Sequence, residues 1–224
     1  KENVDIVFLP TAEDMYPSGF DTWVEPGKMA NSLEGRCRPG HFRGVGTVVS
    51  KLFNIVRPDR AYFGQKDGQQ TLIINRLATD LDMGIEVVVL PTVRELDGLA
   101  MSSRNMYLTS EQRKAAPLVY AALCYARDRW QNNVRNGERL RGEIRRVLET
   151  EPLIQNIDYI SVADAVTLEE LDQVEGPTMI SVAVRIGSTR LIDNLLIGDQ
   201  KTRPKNASQC ESDISRARTY SLVK

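Results

Sequence analysis

The segment Gly64-Gln65-Lys66-Asp67 has residue types that could bind the phosphates of a nucleotide. It lies between a strand-like run and a helix-like run, where a parallel sheet binds ligands and a helix offers free backbone N–H groups to an anion. Gly64 would let the backbone approach a ligand closely, and Lys66 would supply a mobile positive charge. Asp67 could cap the helix or accept hydrogen bonds from ribose hydroxyls. An ordinary glycine turn, with Asp67 as the cap and Lys66 in solvent, stays open as the alternative.

A second segment, Met101-Ser102-Ser103-Arg104-Asn105, lies in a polar loop over residues 94–105. Two adjacent hydroxyls and a guanidinium can hold a polyphosphate, and Arg104 can neutralise the charge of a leaving pyrophosphate. The alternative is a solvated turn in which Ser103 begins a helix cap. Neither segment is a GxxxxGK[ST] loop, which disfavours an ordinary P-loop kinase.

Other polar residues carry weaker patterns. Gln69 and Gln70 open a helix-like run, where one amide could hydrogen-bond a substrate hydroxyl or carboxylate. The single histidine, His41, excludes metal sites that need several histidines, and a histidine at a helix start more often caps or packs than reacts. The three cysteines are far apart and odd in number, which excludes a disulfide framework and paired-cysteine zinc sites. We therefore assign no residue to a metal ion.

An α/β scaffold is needed to position these residues. Short runs at residues 4–9, 60–63 and 86–90 predict strands, the first of them buried on both faces. Helical spacing of apolar residues predicts helices over 45–56 and 69–81. Because helices between strands imply parallel crossovers, the pattern predicts a doubly wound α/β sheet.

The sequence changes character after Pro91. Thr109 and Gln112 have the spacing of a capping box, and two apolar stripes predict helices as far as Leu148, with Pro117 as a kink or a restart. Three short strands are then predicted, over 157–162, 179–184 and 190–193.

This pattern predicts two domains and a tail. Helices followed by strands are typical of a small α+β domain. We therefore expect residues 1–93 to form the sheet domain, 94–200 a smaller α+β C-terminal domain, and 201–224 a disordered basic tail.

The overall composition excludes several classes of function. In 224 residues, 29 Lys and Arg oppose 30 Asp and Glu, a net charge of −1, so no global basic field exists to hold a nucleic-acid backbone. Any affinity for anions must be local. No apolar run approaches the ~20 residues that span a bilayer. The sparse cysteines fit a reducing compartment, which predicts a cytoplasmic protein without nucleic-acid or membrane partners.

Four separated motifs together resemble the pantoate-beta-alanine ligase (pantothenate synthetase) family. In chain order they are Arg38-Pro39-Gly40-His41-Phe42-Arg43-Gly44-Val45, then Phe63-Gly64-Gln65-Lys66-Asp67 with Gln69-Gln70, then Asp97-Gly98-Leu99-Ala100-Met101-Ser102-Ser103-Arg104-Asn105, and Arg190-Leu191-Ile192-Asp193-Asn194. The resemblance implies a Rossmann-like nucleotidyltransferase domain with a parallel sheet, here incomplete at its N-terminus, followed by the small α+β domain.

The resemblance also implies a two-step ligation. The carboxylate of pantoate attacks the α-phosphate of ATP, and the amine of β-alanine then displaces AMP from the resulting pantoyl adenylate. A carboxylate is a poor acyl donor until it is adenylated, so the protein mainly has to orient its substrates and neutralise charge. Mg²⁺ accompanies the ATP in this family, and the family's members form homodimers.

Site residues follow from the same resemblance. The ATP site would be lined by Gly64, Gln65, Lys66, Asp67, Val93, Met101, Ser102, Ser103 and Arg104. Of these, Lys66, Ser102, Ser103 and Arg104 would act in catalysis, with Lys66 on phosphate oxygens; Asp67 would lie near the ribose, and residues 101–104 would close on adenine and phosphates. Gln70 would bind pantoate. Val45, Val48 and Val49 would form the wall of the pantoate pocket, although packing in a helical core explains their spacing equally well.

The chain departs from the family's pattern at its start. The Met-Gly-x-Leu-His-x-Gly-His phosphate site of the family does not occur in it, and one histidine cannot make a motif of two. We therefore expect residues 1–224 alone to bind ATP weakly and to turn over slowly or not at all. Two alternatives stay open: a noncatalytic or split-enzyme fragment that acts as a binding subunit, and another nucleotidyltransferase on the same fold.

Overall fold

The computed structural model describes residues 4–198. The α-helices within these residues are α1 (Ala12–Met15), α2 (Leu33–Cys37), α3 (His41–Val56), α4 (Gly68–Asp80), α5 (Ser110–Ala115), α6 (Leu118–Gln131) and α7 (Gly137–Leu148). The strands are β1 (Arg60–Gly64), β2 (Glu86–Leu90), β3 (Ile154–Asp164), β4 (Thr178–Ile186) and β5 (Thr189–Ile197). Short 3-10 helices lie at Lys28–Asn31, Gln65–Asp67 and Ser103–Tyr107. None of the described helices is long and apolar enough to cross a membrane.

The apolar run at residues 4–9 is not a strand. Its side chains are open to solvent, with Ile6 86% and Leu9 87% exposed. A strand is held by hydrogen bonds to a neighbouring strand, and none of the strands in residues 4–198 pairs with this run. The prediction of a strand buried on both faces is therefore wrong for the described structure.

Helix α3 corresponds to the first helix that the sequence predicts. It begins at His41, earlier than the predicted residue 45, directly after Gly40, whose φ of 78° lies in the left-handed region that favours glycine. Phe42, in the added turn, is 2% exposed, so the apolar stripe extends further toward the N-terminus than the valines alone indicate. The helix ends at Val56, as predicted.

Strand β1, helix α4 and strand β2 form a parallel β–α–β unit. The two strands are neighbours in one sheet, and α4 supplies the crossover that parallel neighbours need. Ile73, Ile74 and Leu77 are buried along α4. The bounds of all three elements agree with the sequence prediction to within one residue, and the predicted α/β class is confirmed.

The C-terminal helices and strands form an α+β layer pair, as predicted. Thr109 and Gln112 form a capping box at the start of α5, and Pro117 separates α5 from α6. The three strands pair antiparallel in the order β3-β4-β5, which leaves β5 at an edge. Side chains from α6, α7 and β4 that are buried in the shared core include Leu123, Leu140, Ile144, Leu148, Ile180, Val182, Val184 and Ile186. The strands are longer than predicted because the backbone pairing continues past the apolar centre of each strand. Between β4 and β5, for example, it runs from the pair of Thr178 with Ile197 to the pair of Ile186 with Thr189.

The chain divides into two compact units. Within the described residues, the first unit contains residues 4–61 together with Ile73–Val87, and the second contains Tyr62–Leu72 together with residues 88–198. Both segments with predicted phosphate chemistry, around Lys66 and Arg104, lie in the second unit. The predicted domain boundary at residues 93 and 94 stays a prediction, and the predicted tail at 201–224 lies outside the described residues.

Candidate functional site

Lys66 and Arg104 line the same pocket of the second unit. The other residues that line it are Leu99, Ala100, Ser102, Asn105, Val119, Arg190, Leu191, Ile192 and Asp193. Four of these are consecutive residues of the edge strand β5. The structure therefore brings together the two segments that the sequence singles out, and it adds β5 as the element beside them.

The Lys66 segment forms a short 3-10 helix between β1 and α4. The side chain of Lys66 is only 17% exposed, and its Nζ lies 4.0 Å from Oδ1 of Asp67, whose side chain is 51% exposed. The ammonium is thus largely shielded from water while its nearest described carboxylate is at the outer limit of an ion pair. Such a charge can bind an anionic oxygen of a ligand more strongly than an exposed one can. Gly64 precedes this short helix, and the capping of α4 by Asp67 stays a prediction.

Asn194 on β5 fixes the backbone of this segment. Its Nδ2 donates to the carbonyl oxygens of Gln65 and Lys66, each at 2.9 Å. Its Oδ1 accepts a hydrogen bond of 2.8 Å from Nε2 of Gln65. Gln65, predicted to line the ATP site, is therefore occupied in holding the segment in place. The sequence alone indicates no role for Asn194, although this residue belongs to the last of the four motifs.

Residues 93–101 form a tight hairpin at the other side of the pocket. The N–H of Met101 donates to the carbonyl of Val93 at 2.9 Å, so two residues predicted to line the ATP site are adjacent. Their side chains are exposed and do not line the pocket itself. Gly98 forms the turn with a φ of 91°, and a Cβ there would lie 2.6 Å from the ring of Tyr120. Only glycine meets both demands.

Arg94 anchors this hairpin to β5. Its Nη1 and Nη2 donate to the two carboxylate oxygens of Asp193 at 2.6 and 2.9 Å, and Nη1 also donates to the carbonyl of Gly98. The guanidinium lies 3.6 Å from the centre of the Tyr120 ring. Burial by itself lowers the pKa of Arg94, but the hydrogen bonds and charge of Asp193 outweigh that effect, so its pKa is raised. Arg94 is a permanent structural cation that sequence reasoning missed.

A second arginine holds the outer part of the hairpin. Arg113 donates to Asp97 at 2.6 Å and to Glu95 at 2.5 Å. The hydrogen bond to Asp97 is the largest influence on the pKa of Arg113 and raises it, and Glu95 adds to this rise against the opposing effect of burial. Nδ2 of Asn105 donates to Glu95 and to the carbonyl of Ala100. The base of the loop is thus fixed on two sides.

The tip of the loop carries the predicted hydroxyl and guanidinium groups. Oγ of Ser102 accepts a hydrogen bond of 3.2 Å from the N–H of Arg104 and caps the 3-10 helix that follows. Ser102, not Ser103, is therefore the capping residue. Ser103 and Arg104 are exposed, and of the three polar side chains Ser102 and Arg104 line the pocket.

The residues predicted to bind pantoate lie on two helices. Val45, Val48 and Val49 lie on α3 in the first unit, where Val49 is 8% exposed and the other two are half-buried. Gln70 lies half-buried on α4, in the part of that helix that belongs to the second unit. The burial of Val49 fits helical core packing, and the substrate role of all four residues stays a prediction.

The described residues contain no group of three or more His, Cys, Asp or Glu side chains that could hold a metal ion. A Mg²⁺ ion that arrives with a nucleotide takes most of its ligands from phosphate oxygens and water, with one or two carboxylates from the protein. Asp67 is one such carboxylate beside Lys66. The site is thus compatible with Mg²⁺ carried by the nucleotide.

Comparisons with known proteins agree on one family. The family model described as Pantoate-beta-alanine ligase matches residues 1–196. A pantothenate synthetase from Roseiflexus castenholzii is 54% identical over 196 residues, which cover 88% of this chain and 70% of that protein. These matches include all four motifs.

Solved structures give the same result at the level of the fold. The pantothenate synthetase from Thermus thermophilus superposes with a TM-score of 0.82 at 43% identity, over 86% of this chain and 70% of that one. The pantoate-beta-alanine ligase from Francisella tularensis, solved as a complex with β-γ ATP and β-alanine, superposes with a TM-score of 0.61 at 36% identity, over 82% of this chain and 61% of that one. The predicted fold, a nucleotidyltransferase-like sheet followed by a smaller domain, is confirmed.

Proposed function

The chain belongs to the pantoate-beta-alanine ligase family, and we propose that it acts in the ATP-dependent condensation of pantoate with β-alanine. The observation that carries the proposal is the shared pocket of Lys66, Ser102 and Arg104. It supplies two cations and a hydroxyl beside one another, which is what binding and neutralising a triphosphate requires.

The reaction has two steps. A carboxylate oxygen of pantoate attacks the α-phosphorus of ATP, the bond from that phosphorus to the bridging oxygen breaks, and pyrophosphate leaves. The amine nitrogen of β-alanine then attacks the acyl carbon of pantoyl adenylate. The bond from that carbon to the AMP oxygen breaks, the nitrogen loses a proton, and pantothenate and AMP are released.

The residues of the pocket have distinct roles in this proposal. Lys66 binds phosphate oxygens from a fixed position, and Arg104 neutralises the negative charge that develops on the leaving pyrophosphate. Ser102 and Ser103 donate to phosphate oxygens from the tip of the loop. Gly64 permits close approach of backbone N–H groups, Asp67 accepts from the ribose, and residues 93 and 101 contact the base.

Gln70 would bind pantoate. The amide of Gln70 would orient the carboxylate or a hydroxyl of pantoate for attack, which matters because catalysis of this kind depends on near-attack geometry. Mg²⁺ would reach the site with ATP and offset part of the triphosphate charge. As further proposals, we expect a homodimer in the cytoplasm; sedimentation analysis of the purified chain tests the dimer.

An assay of AMP release tests the proposal. Purified chain is incubated with ATP, pantoate and β-alanine, and each substrate is omitted in turn. A second arm adds, in trans, the part of the Roseiflexus castenholzii relative that the match does not cover. We expect AMP and pantothenate in equal amounts in the second arm, only when all three substrates are present.

The same assay separates the alternatives. Robust turnover by the chain alone would support the ligase and contradict the expected dependence on a second segment. Inactivity in both arms by a folded chain would contradict the proposed reaction and favour a noncatalytic binding subunit. AMP release with another carboxylic acid but not with pantoate would indicate a different nucleotidyltransferase.

A further inference from the structure

Two adjacent polar residues are buried in the edge strand beside the pocket. Asp193 and Asn194 are each 4% exposed, in the middle of β5. Burial of such groups is costly unless they are hydrogen-bonded, so their presence needs a specific explanation. Successive residues of a strand point to opposite faces, so the two side chains reach two different parts of the chain from one point of β5.

Asn194 holds one side of the pocket. Its three hydrogen bonds to Gln65 and Lys66 bridge 128 and 129 residues of sequence. The packing is close at Gly68, where a Cβ would lie 2.7 Å from Sδ of Met179 and 3.0 Å from Nδ2 of Asn194. The backbone that carries the Lys66 ammonium is thus fixed by one carboxamide.

Asp193 holds the other side of the pocket. Its carboxylate accepts both hydrogen bonds of the Arg94 guanidinium, which in turn donates to Gly98 in the hairpin turn. The hairpin leads directly into Ser102 and Arg104. Oδ1 of Asp193 also accepts a hydrogen bond of 2.8 Å from the backbone N–H of Asn194, so the Asp193 carboxylate is fixed against its own strand as well.

We propose that Asn194 and Asp193 are positioning residues that set the distance between the two phosphate-binding sides of the pocket. Asn194 places Lys66, and Asp193, through Arg94, places the segment of Ser102 and Arg104. Neither residue has to touch the substrate. The proposal rests on the proposed function, because it assumes that the pocket binds a triphosphate.

The expected consequence is a selective loss of triphosphate binding. An ammonium displaced from its fixed position loses the charge-assisted hydrogen bond to a phosphate oxygen, which corresponds to about tenfold in affinity. Adenosine, which has the base and ribose but no phosphate, should be affected little. The ratio of the Kd values for adenosine and ATP, the phosphate preference, is therefore the quantity to measure.

Calorimetric titrations with ATP and with adenosine test the proposal on the full chain. We compare wild type, Lys66→Ala, Asn194→Ala and the double variant. Asn194→Ala should lower the phosphate preference about tenfold, and the double variant should match Lys66→Ala alone, since Asn194 acts through Lys66. If Asn194 had only a structural role, the losses of ATP affinity in the two single variants would add in the double variant, or the affinity for adenosine would fall as much as that for ATP.

Three further variants serve as a stability control, as a substitute for Asn194→Ala and as a test of Asp193. Leu148→Ala empties a buried core position on α7 that does not line the pocket, so it lowers stability and should leave the phosphate preference unchanged. Asn194→Ser, which keeps a hydroxyl donor, makes the same test if the alanine variant does not fold. Asp193→Asn keeps the shape of the side chain, and its effect should disappear in an Arg104→Ala background.

The titrations distinguish a failure of the proposed function from a failure of the positioning role alone. If wild type binds ATP no better than adenosine, the proposed function fails, and the positioning role fails with it. If wild type prefers ATP through Lys66 while folded Asn194→Ala or Asn194→Ser keeps the full preference, the positioning role alone is overturned.

Discussion

Lys66 and Arg104 line the same pocket from segments that are held in different ways. The Lys66 side chain is 17% exposed, and its backbone is fixed by Asn194. Arg104 is exposed at the tip of a loop whose base is fixed by Arg94 and Arg113. The Lys66 ammonium is thus positioned before a ligand binds, whereas the Arg104 guanidinium is exposed to solvent.

The difference has a physical consequence for binding. A fixed, shielded charge needs no reorganisation when it meets a phosphate and acts in a medium of low dielectric constant. An exposed arginine loses rotamer freedom on binding, and water screens its charge. We therefore expect the Lys66 side to contribute more to affinity than the Arg104 side, although each supplies one positive charge.

Gly98→Ala should produce the largest effect, because it disrupts the hairpin of residues 93–101 that leads into Arg104. The substitution forces alanine into a left-handed backbone and places its Cβ 2.6 Å from the Tyr120 ring, on which Arg94 stacks. We expect a loss of about 2–4 kcal/mol in the free energy of unfolding, measured by urea denaturation.

Gly142→Ala is the matched control for that variant. Gly142 lies inside α7 with open space around it, so alanine there should stabilise the protein by about 0.5–1 kcal/mol. Equal stability changes in the two variants would contradict the account of the hairpin turn.

Lys66→Ala should weaken ATP binding by about 10- to 100-fold, because it removes a charge-assisted hydrogen bond in a shielded site. Calorimetry of ATP binding measures the effect. Lys114→Ala, at an exposed position of α5 in the same unit, should leave ATP affinity within about twofold of wild type. Similar losses in both variants would show that only the overall charge matters.

Arg104→Ala should weaken ATP binding by a smaller factor, about three- to fivefold, since water already screens its guanidinium. The matched control is Arg139→Ala, an exposed position on α7, which should have no measurable effect on the same titration. An Arg104→Ala loss greater than that of Lys66→Ala would reverse the expected order of the two sides.

Asp164→Asn should have the smallest effect and leave the pocket unchanged. Burial tends to raise the pKa of Asp164, but hydrogen bonds from the backbone N–H groups of Thr167 and Val166 outweigh it, so its pKa is lowered from 3.8. A carboxylate whose pKa is lower in the folded than in the unfolded chain stabilises the fold at pH values above its unfolded-state pKa. That stabilisation is lost as the pH falls through the folded-state pKa.

Thermal unfolding across pH checks this prediction. Wild type should lose stability below about pH 4, and Asp164→Asn should lose less over that interval. Because water screens this partly exposed carboxylate, the difference should stay well under about 1 kcal/mol. ATP affinity at neutral pH should not change. If the variant lost stability more steeply than wild type as the pH falls, the sign of the pKa shift would be wrong.

The sequence predicts most elements well because their signals are local. The bounds of β1, α4 and β2 agree to within one residue, and the Thr109 capping box and the Pro117 break occur where expected. The run at residues 4–9 shows the limit of such reasoning. Its composition is that of a buried strand, but burial and pairing depend on a partner strand that a local pattern cannot supply.

The candidate site shows the same limit. The types of Lys66, Ser102 and Arg104 and their positions after a strand and in a polar loop predict phosphate chemistry, and the structure brings them to one pocket. Arg94 and Asn194 were missed because their partners lie 99 and 129 residues away. The one available signal was the placement of Asp and Asn in the middle of an apolar strand, where polar residues are costly.

A crystal structure of the chain with a non-hydrolysable ATP analogue tests the central claim most directly. We expect one triphosphate with Nζ of Lys66 and the guanidinium of Arg104 both within hydrogen-bond distance of its oxygens. An analogue that contacts only one of these side chains, or that binds outside the pocket, would contradict it.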